Sequence, residues 1–460
     1  MEVTDTMREM VQEGQKEGEG EAGRENTGGK TKGPFTGQTI KAVLGDDEFA
    51  LNEQGLFHVA IDGDRINPIM LVCAPLKIVA DTRDVNGENW GRILEFRDKD
   101  GKLQQYTMRM QDLRRDGDDV VDVLLSRGLS IAPGKKSRLR LVEYVQNSMP
   151  ENDTKARSTD MTGWHDQRFV LSNEIIGEGK EQILYHGRQP NAKTYEQKGT
   201  LEEWRSNIAR LSVGNSRLIL AIAAAFAAPI LRLVGMEGGG VHFVGTSSTG
   251  KSTALYVAAS VMGSPEHYNQ SWRATGNGLE GIAKFHNDTC LIIDEMGQVQ
   301  AKEAGEISYM LANGAGKLRA NIRGEAREKA NWRLLFLSSG EVTLAEHMNE
   351  GGKKARAGME IRLVDIHADA GKDMGIFEDI HGFGNGAEFS DMLKSCAADY
   401  HGVAFREFVR CIIAEGDLIR ASIGELQEDF LENQIPENAS GQVRRVAARF
   451  ALIAAAGELA

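Results

Sequence analysis

The spacing of apolar residues divides the chain into regions of different structural type. Short strand-like runs dominate the first part, continuous apolar runs follow from about residue 240, and helical spacing prevails after residue 388. We predict an α/β fold with five regions: a disordered tail (1–35), an N-terminal α+β accessory domain (36–177), a helical linker or lid segment (178–235), an α/β core (236–370) and a helical C-terminal region (371–460).

The accessory domain is predicted from its strands and turns. Residues 91–98 and 103–110 flank an Asp-Gly turn and are typical of a β-hairpin, while residues 118–127 have a helical pattern. We expect Trp90 and Trp164 to lie in the core of this domain rather than to serve as base-stacking platforms. No catalytic group of residues is evident in this part of the sequence.

The predicted core contains continuous apolar runs rather than alternating ones. Such runs are typical of parallel strands that are buried on both faces of a sheet. The runs that we assign to core strands are 241–244, 290–294, 332–337 and 363–366.

The first of these strands leads into a phosphate-binding loop. The loop fits the pattern G-x-x-x-x-G-K-[ST], and a helical run follows it. Backbone N–H groups of such a loop cradle phosphate oxygens, and the helix N-terminus adds partial positive charge. We therefore predict that ATP is bound by Gly245, Thr246, Ser247, Ser248, Thr249, Gly250, Lys251, Ser252 and Thr253. Lys251 would reach the β- and γ-phosphates, and the Ser252 hydroxyl would bind Mg²⁺.

The second strand ends in two carboxylates, Asp294 and Glu295. Downstream of a phosphate-binding loop, such a pair predicts hydrolysis of a nucleoside triphosphate. Asp294 would hold Mg²⁺, directly or through water, and Glu295 would act as the general base. An acidic pair favours an ATPase over a small-molecule kinase, which lacks a base of its own.

Polar and basic residues near the next two strands complete the predicted catalytic set. Ser338 or Ser339, after the strand 332–337, is the candidate for positioning the attacking water. Arg356, or as a second choice Arg362, would act as an arginine finger toward the nucleotide of a neighbouring subunit. Either arginine could instead pair with Glu360 or face solvent.

A basic segment lies between the acidic pair and the following strand. Alternation places Lys317, Arg319, Asn321 and Arg323 on one face of a strand, and Gly324 can turn the chain back. We predict a β-hairpin whose basic face contacts the phosphate backbone of DNA. The alternative is a solvated charged hairpin, which is common for such runs.

Charge and composition limit how the protein can bind DNA and indicate the compartment in which it works. The net charge is −13, so binding to DNA requires a local basic patch rather than the whole surface. The four cysteines are scattered and are expected to be reduced, buried thiols in a cytoplasmic protein. The apolar stretch 218–231 is interrupted by Pro229 and predicts a buried helix rather than a membrane span.

Several stretches together resemble a known family. The chain is similar to the helicase-annotated AAA+ family of bacterial prophages and integrative or mobile elements, which is related to superfamily III-type helicases and to the self-loading replicative helicases of chromosome cassettes. The stretches that carry the resemblance are the phosphate-binding loop, SWRATGNGLEGIA (271–283), YMLANGAGKLRAN (309–321), LSSGE (337–341), KARAGMEIRLVDI (354–366) and RRVAARFALIAAAGELA (444–460).

The resemblance implies an AAA+ P-loop NTPase core that unwinds DNA. It implies an oligomeric ring, expected to be a hexamer, with ATP at subunit interfaces and single-stranded DNA in a central pore. The family continues beyond the last stretch, and the chain ends within a helical pattern without a stop signal, so we expect the C-terminal region to be truncated.

Two other functions remain open from the sequence. One is an initiator that uses ATP to assemble on DNA without unwinding it. The other is an NTPase that acts on protein partners, for which the acidic net charge of −13 is an argument. The basic face of the predicted hairpin favours DNA.

Overall fold

The structure is a computed structural model of the 460-residue chain. It describes residues 38–41, 48–62, 65–150, 153–187, 190–317 and 329–460.

The described residues of the N-terminal part form three sheets and two helices. An antiparallel sheet has the order β1-β2-β3-β4, a mixed sheet has the order β12-β8-β5-β6-β7, and a small sheet has the order β11-β10-β9. The strands are β1 Gln38–Lys41, β2 Glu48–Asn52, β3 Gly55–Asp62, β4 Arg65–Cys73, β5 Leu76–Arg83, β6 Gly91–Arg97, β7 Leu103–Arg109, β8 Lys155–Thr159, β9 Gly163–His165, β10 Arg168–Val170, β11 Ile175–Ile176 and β12 Gln182–Tyr185. The helices are α1 Asp118–Ser126 and α2 Lys135–Asn147, preceded by the 3₁₀ turns Met110–Leu113 and Arg115–Gly117.

A helical segment connects these sheets to the core. It contains α3 Leu201–Trp204, a π-helical turn Arg205–Ala209, α4 Arg210–Ser212, α5 Ser216–Ala227 and α6 Ile230–Leu233. The predicted stretch 218–231 is thus the buried, Ala-rich α5 followed by α6. No helix in the described part of the chain is both long enough and apolar enough to cross a membrane.

The core contains a five-stranded sheet with the order β14-β15-β16-β13-β17, in which every pairing is parallel. Its strands are β13 Gly239–Val244, β14 Gln270–Ser271, β15 Cys290–Asp294, β16 Leu335–Gly340 and β17 Leu363–His367. The helices of this part are α7 Lys251–Met262, α8 Pro265–Tyr268, α9 Gly276–Phe285, α10 Ala301–Asn313, α11 Leu344–Glu350 and α12 Ala357–Glu360, with a 3₁₀ turn at Met296–Gln298.

Three long helices follow the sheet. They are α13 Gly386–Asp399, α14 Val403–Gln434, which is kinked at Glu415, and α15 Gly441–Leu459. The largest hydrophobic core joins β9–β11, α5, α7 and these helices to one face of the parallel sheet. A separate core, beneath α10 and α11, covers the other face of the sheet.

Period-2 alternation assigns the side chains of each core strand to one of these two faces. Val241, Ile292 and Leu337 lie in the core that contains α7, and we call this side the nucleotide face because the predicted phosphate-binding loop leads into α7. Leu291 and Phe336 lie in the core that contains α10 and α11, which we call the rear face. This division decides where the polar residues at the strand ends point.

Three expectations from the sequence need correction. Trp164 is buried, but Trp90 is 46% exposed, because it lies just before the first residue of β6. The Arg83 guanidinium lies 5.7 Å from the centroid of the Trp90 ring. Cys411 is exposed on α14, whereas the other three cysteines are buried. The strand predicted at 332–337 is β16, Leu335–Gly340, so both serines lie within the strand rather than after it.

Candidate functional site

The phosphate-binding loop, residues 245–250, joins β13 to the N-terminus of α7. Its final residue, Gly250, has φ +89°, a left-handed conformation that favours glycine. A Cβ atom at Gly250 would also lie 2.6 Å from Cγ2 of Ile376. Glycine is therefore required here for both its backbone conformation and its small size.

Lys251 begins α7, and its side chain folds back over the loop. The Nζ atom donates hydrogen bonds to the carbonyl oxygens of Gly245 and Thr246, each at 2.7 Å, and approaches Thr249 Oγ1 at 3.5 Å. Only 8% of the residue is exposed. The ammonium group is thereby fixed above the concave side of the loop.

The remaining loop residues differ in their surroundings. Thr246, Ser247 and Ser248 are exposed at the tip, and Ser248 has φ +65°. Thr253 points away from the loop, because it is fully buried and its hydroxyl is 2.6 Å from Ser390 Oγ on α13. Of the predicted nucleotide ligands, Thr253 is thus the one that is bonded to a neighbouring helix.

Ser252, Asp294 and Ser339 come together at the carboxyl edge of the sheet. Ser252 Oγ lies 3.3 Å from Asp294 Oδ2, and Ser339 donates a short hydrogen bond to Asp294 Oδ1. β16 lies between β13 and β15 in the sheet, which places Ser339 between the phosphate-binding loop and the acidic pair. Hydroxyl and carboxylate oxygens are the ligand types that Mg²⁺ prefers, so this pair of groups fits the predicted magnesium site.

No cluster of three or more metal-binding side chains occurs among the residues that the structure describes. Mg²⁺ in nucleotide sites is commonly held by one or two protein groups together with phosphate oxygens and water, rather than by an all-protein cage. The donor set of Ser252 and Asp294 is of that kind.

Glu295 leaves the strand in an unusual conformation. Its φ and ψ angles are 64° and 70°, in the left-handed region that costs a non-glycine residue free energy. Its backbone N–H is held by Asp294 Oδ1 at 3.0 Å and by Ser339 Oγ at 3.3 Å. The half-buried carboxylate accepts no hydrogen bond from any residue in the described ranges, so it is free to accept one from water.

Ser338 and Ser339 point to opposite faces of the sheet. Ser339 lies on the nucleotide face against Asp294, as described above. Ser338 lies on the rear face, where its hydroxyl is 2.9 Å from Trp272 Nε1 and 2.9 Å from His242 Nδ1. Of the two serines that the sequence left open, Ser339 is therefore the one that the geometry brings to the acidic pair.

The two candidate arginines also differ in their contacts. The Arg362 guanidinium lies 4.3 Å from the centroid of the Tyr309 ring and donates to the Gly358 carbonyl at 2.8 Å. Arg356 caps α12 with its backbone, and its exposed side chain has no ion pair or hydrogen bond to a residue that the structure describes. Arg356 is thus the one that is available to a second molecule.

The predicted DNA-binding face falls largely outside the described residues. Lys317 is described and exposed, whereas Arg319, Asn321 and Arg323 lie in the segment 318–328, which is not. At the ends of this segment, Ala315 and Asn331 form an antiparallel bridge. Lys317 also lines a cavity of about 520 Å³ together with Arg273, Asn277 and Gln298.

A second loop, residues 368–385, packs on the phosphate-binding loop, and no pattern in the sequence predicts this contact. The Ile376 N–H donates to the Thr249 carbonyl at 2.8 Å, and Ile376 is fully buried. The N-terminus of α5 holds this loop, because Arg217 forms an ion pair with Glu378 at 3.2 Å. Only a Gly/Asp-rich composition marks the loop in the sequence, and such composition does not predict a packing partner.

Comparisons with known proteins support the fold. The chain is similar to a structure described as "SCCmec type IV Cch - active helicase", with a TM-score of 0.66 and 18% identity over 89% of this chain and 73% of that chain. A structure of the NrS-1 C-terminal region is matched with a TM-score of 0.32 and 10% identity, over 82% of this chain and 83% of that chain, which is too weak to carry an argument.

The sequence comparisons add a family. No curated protein matches the sequence. The model of a domain of unknown function, DUF927, matches residues 49–331, more than half of the 460 residues, and the chain therefore belongs to the DUF927 family.

Proposed function

We propose that this protein is an ATP-dependent DNA helicase or translocase of a mobile genetic element, built on an AAA+ core and acting in the cytoplasm as a ring, expected to be a hexamer. The observation that carries the proposal is the meeting of Ser252, Asp294 and Ser339 beside the phosphate-binding loop. A loop lysine, a carboxylate pair and a bridging hydroxyl at one sheet edge are the parts that hydrolysis of a nucleoside triphosphate requires.

In this proposal the phosphates of ATP lie on the loop amides and the N-terminus of α7. Lys251 exchanges its carbonyl partners for β- and γ-phosphate oxygens, since the ammonium group already lies above the loop. Ser252 and Asp294 would hold Mg²⁺. The ion, when bound, neutralises phosphate charge that develops during hydrolysis.

Glu295 is the proposed general base. Its carboxylate takes a proton from the attacking water, while the left-handed turn at Glu295 and the Ser339 hydroxyl set the direction of approach. Arg356 would reach the γ-phosphate bound by the adjacent subunit, because its side chain makes no ion pair or hydrogen bond with any described residue of its own chain. ATP would thus be hydrolysed at subunit interfaces.

The DNA part of the proposal has separate support. The fold is shared with a protein whose structure is described as an active helicase. In this chain, Lys317 and Arg273 line one cavity together with Gln298, three residues after Glu295, and the basic segment begins at Lys317. Single-stranded DNA in the central pore would contact Lys317, Arg319, Asn321 and Arg323.

Steady-state ATP hydrolysis with and without single-stranded DNA tests this proposal. We expect DNA to stimulate hydrolysis by the wild-type protein and Lys251→Ala to abolish all hydrolysis. A variant with Lys317, Arg319 and Arg323 all changed to Ala should keep its basal rate and lose the stimulation. With three to four phosphates neutralised, the logarithm of DNA affinity should fall with the logarithm of salt concentration with a slope of about −2 to −4.

Other outcomes identify the two alternatives. DNA binding that needs ATP, without strand displacement, would indicate an initiator. If DNA does not change the rate of ATP hydrolysis, and the triple variant hydrolyses ATP at the wild-type rate, the protein is better described as an NTPase that acts on protein partners.

A further inference from the structure

Three buried polar side chains cross the rear face of the sheet directly behind the candidate site. They are Trp272, which follows β14, Ser338 on β16 and His242 on β13, and all three are fully buried. Ser338 Oγ lies 2.9 Å from Trp272 Nε1 and 2.9 Å from His242 Nδ1, and His242 Nε2 lies 3.1 Å from the Val342 carbonyl. We call these residues the rear chain.

Chemistry fixes the direction of the two outer hydrogen bonds of the rear chain, and the charge state of His242 fixes the direction of the bond between Ser338 and His242. An indole N–H can only donate and a carbonyl can only accept. Ser338 therefore accepts from Trp272 and donates to His242 Nδ1, and His242 donates from Nε2 to Val342. This assignment requires a neutral imidazole, and burial lowers the pKa of His242 to about 4, so the ring is neutral at pH 7.

The sheet is shaped to accommodate this histidine. A Cβ atom at Gly340, the last residue of β16, would lie 2.9 Å from His242 Cε1 and 3.3 Å from the Met296 Cβ. The glycine therefore leaves space for the imidazole beside the 3₁₀ turn that follows Glu295.

The rear chain is attached to the residues of the candidate site through the backbone. Ser338 is adjacent to Ser339, which holds both Asp294 and the Glu295 N–H. The Trp272 N–H donates to the Asp294 carbonyl at 3.2 Å. His242 precedes the phosphate-binding loop by three residues. The rear chain thus links β13, which leads to the phosphate-binding loop, and β16, which contains Ser339, with the residue that follows β14.

We propose that Trp272, Ser338 and His242 are positioning residues for ATP hydrolysis, which hold Ser339 and Glu295 in register with the phosphate-binding loop. The inference rests on the proposed function, because it presupposes hydrolysis at this site. All three side chains lie on the rear face, away from the phosphate-binding loop. Their loss should therefore lower kcat and leave the affinity for ATP nearly unchanged.

The test compares variants that break the rear chain with variants that keep it. Ser338→Ala and His242→Leu break it, whereas His242→Gln keeps a donor for Val342 and an acceptor for Ser338. Ser308→Ala is the matched control, since Ser308 is a fully buried serine of α10 whose hydroxyl has no partner among the described residues. The full chain is used for kcat, KM, the Kd of a fluorescent ATP analogue and the melting temperature.

We expect Ser338→Ala and His242→Leu to lower kcat about tenfold, because each substitution removes one positioning interaction. KM and Kd should stay within about twofold of the wild-type values. Ser308→Ala should match wild type, and His242→Gln should retain at least about half of its kcat. If Ser338→Ala does not fold, the two His242 variants give the same comparison.

Equal kcat values for Ser338→Ala and Ser308→Ala would overturn the positioning role while leaving the proposed ATPase intact. A parallel loss of kcat, Kd and melting temperature would also overturn it, because that pattern indicates a structural role only. Absence of hydrolysis by the wild-type protein would overturn the proposed function and this inference together.

Discussion

The two faces of the parallel sheet carry polar groups of different character at the same edge. On the nucleotide face, Asp294 meets the hydroxyls of Ser252 and Ser339, and the charged Lys251 lies across the loop. On the rear face, the three side chains of the rear chain are neutral, fully buried and paired with one another. The rear chain thus brings no charge into the core behind the site, which avoids the cost of an unpaired buried charge, whereas the charges of the nucleotide face lie where a charged ligand can compensate for them.

Apart from Lys251→Ala, the largest effect should come from Arg356, which belongs to neither face of the sheet. Arg356→Ala should lower the rate of ATP hydrolysis about a thousandfold, since arginine fingers contribute transition-state stabilisation of at least this size. Arg362→Ala should have a much smaller effect on the rate, because Arg362 is engaged by Tyr309. If Arg356 acts on the nucleotide of a neighbouring subunit, mixing Arg356→Ala protein with Lys251→Ala protein should restore ATP hydrolysis. The assignment would be contradicted if the mixture stayed inactive and the two arginine variants hydrolysed ATP at equal rates.

Glu295→Gln tests the nucleotide face itself. Loss of the general base should slow hydrolysis about a hundredfold or more, while ATP still binds. The change conserves shape, so the melting temperature should stay close to that of wild type. Nucleotide binding measured by fluorescence provides the control, and a normal rate would exclude Glu295 as the base.

The rear face should make stability depend on pH. The pKa of His242 is lowered by burial from 6.5 to about 4, so the unfolded state binds a proton at a higher pH than the folded state does. Stability should fall as the pH decreases from about 6.5 to about 4, by about 3 kcal/mol from this residue. Urea unfolding at several pH values should show a smaller loss for His242→Gln, and an equal loss in both proteins would contradict the assignment. His286, also buried with a pKa lowered to about 3, contributes in the same direction in both proteins.

Ser339→Ala should have the smallest effect on the rate among these substitutions on the nucleotide face. We expect a decrease of about tenfold, because one hydroxyl partner of Asp294 and of the Glu295 N–H is lost while the carboxylates remain. Steady-state kinetics at saturating ATP measure this effect. A tighter KM with the same kcat would indicate that the hydroxyl does not position the water.

The sequence identifies the phosphate-binding loop and the acidic pair because their chemistry depends on neighbours along the chain. It does not decide between Ser338 and Ser339. Alternation places the two serines on opposite faces, but which face carries Asp294 depends on the register of β15 with β16, strands that are separated by 40 residues. The choice between Arg356 and Arg362 likewise depends on Tyr309, which lies on another helix.

The rear chain and the position of Trp90 show the same limitation. A buried histidine and tryptophan are compatible with any apolar core, so nothing in the local sequence marks Trp272 and His242 as partners of Ser338. Trp90 was wrongly assigned to the core because tryptophan is usually buried. Its exposure follows from its place at the beginning of β6, which a single sequence does not reveal.

The contact of Arg449 with the residue just before β13, the first strand of the core along the chain, affects how the molecule folds during synthesis. Arg449, on α15, donates to the Gly238 carbonyl at 3.3 Å, across a separation of 211 residues, and to the Ile361 carbonyl at 3.0 Å. During synthesis, the phosphate-binding loop emerges from the ribosome long before α15 can support the strands on which it stands. Contacts of such long range form slowly, and intermediates that lack them expose apolar surface. A nascent chain of this protein should therefore depend on chaperones until α15 has been released.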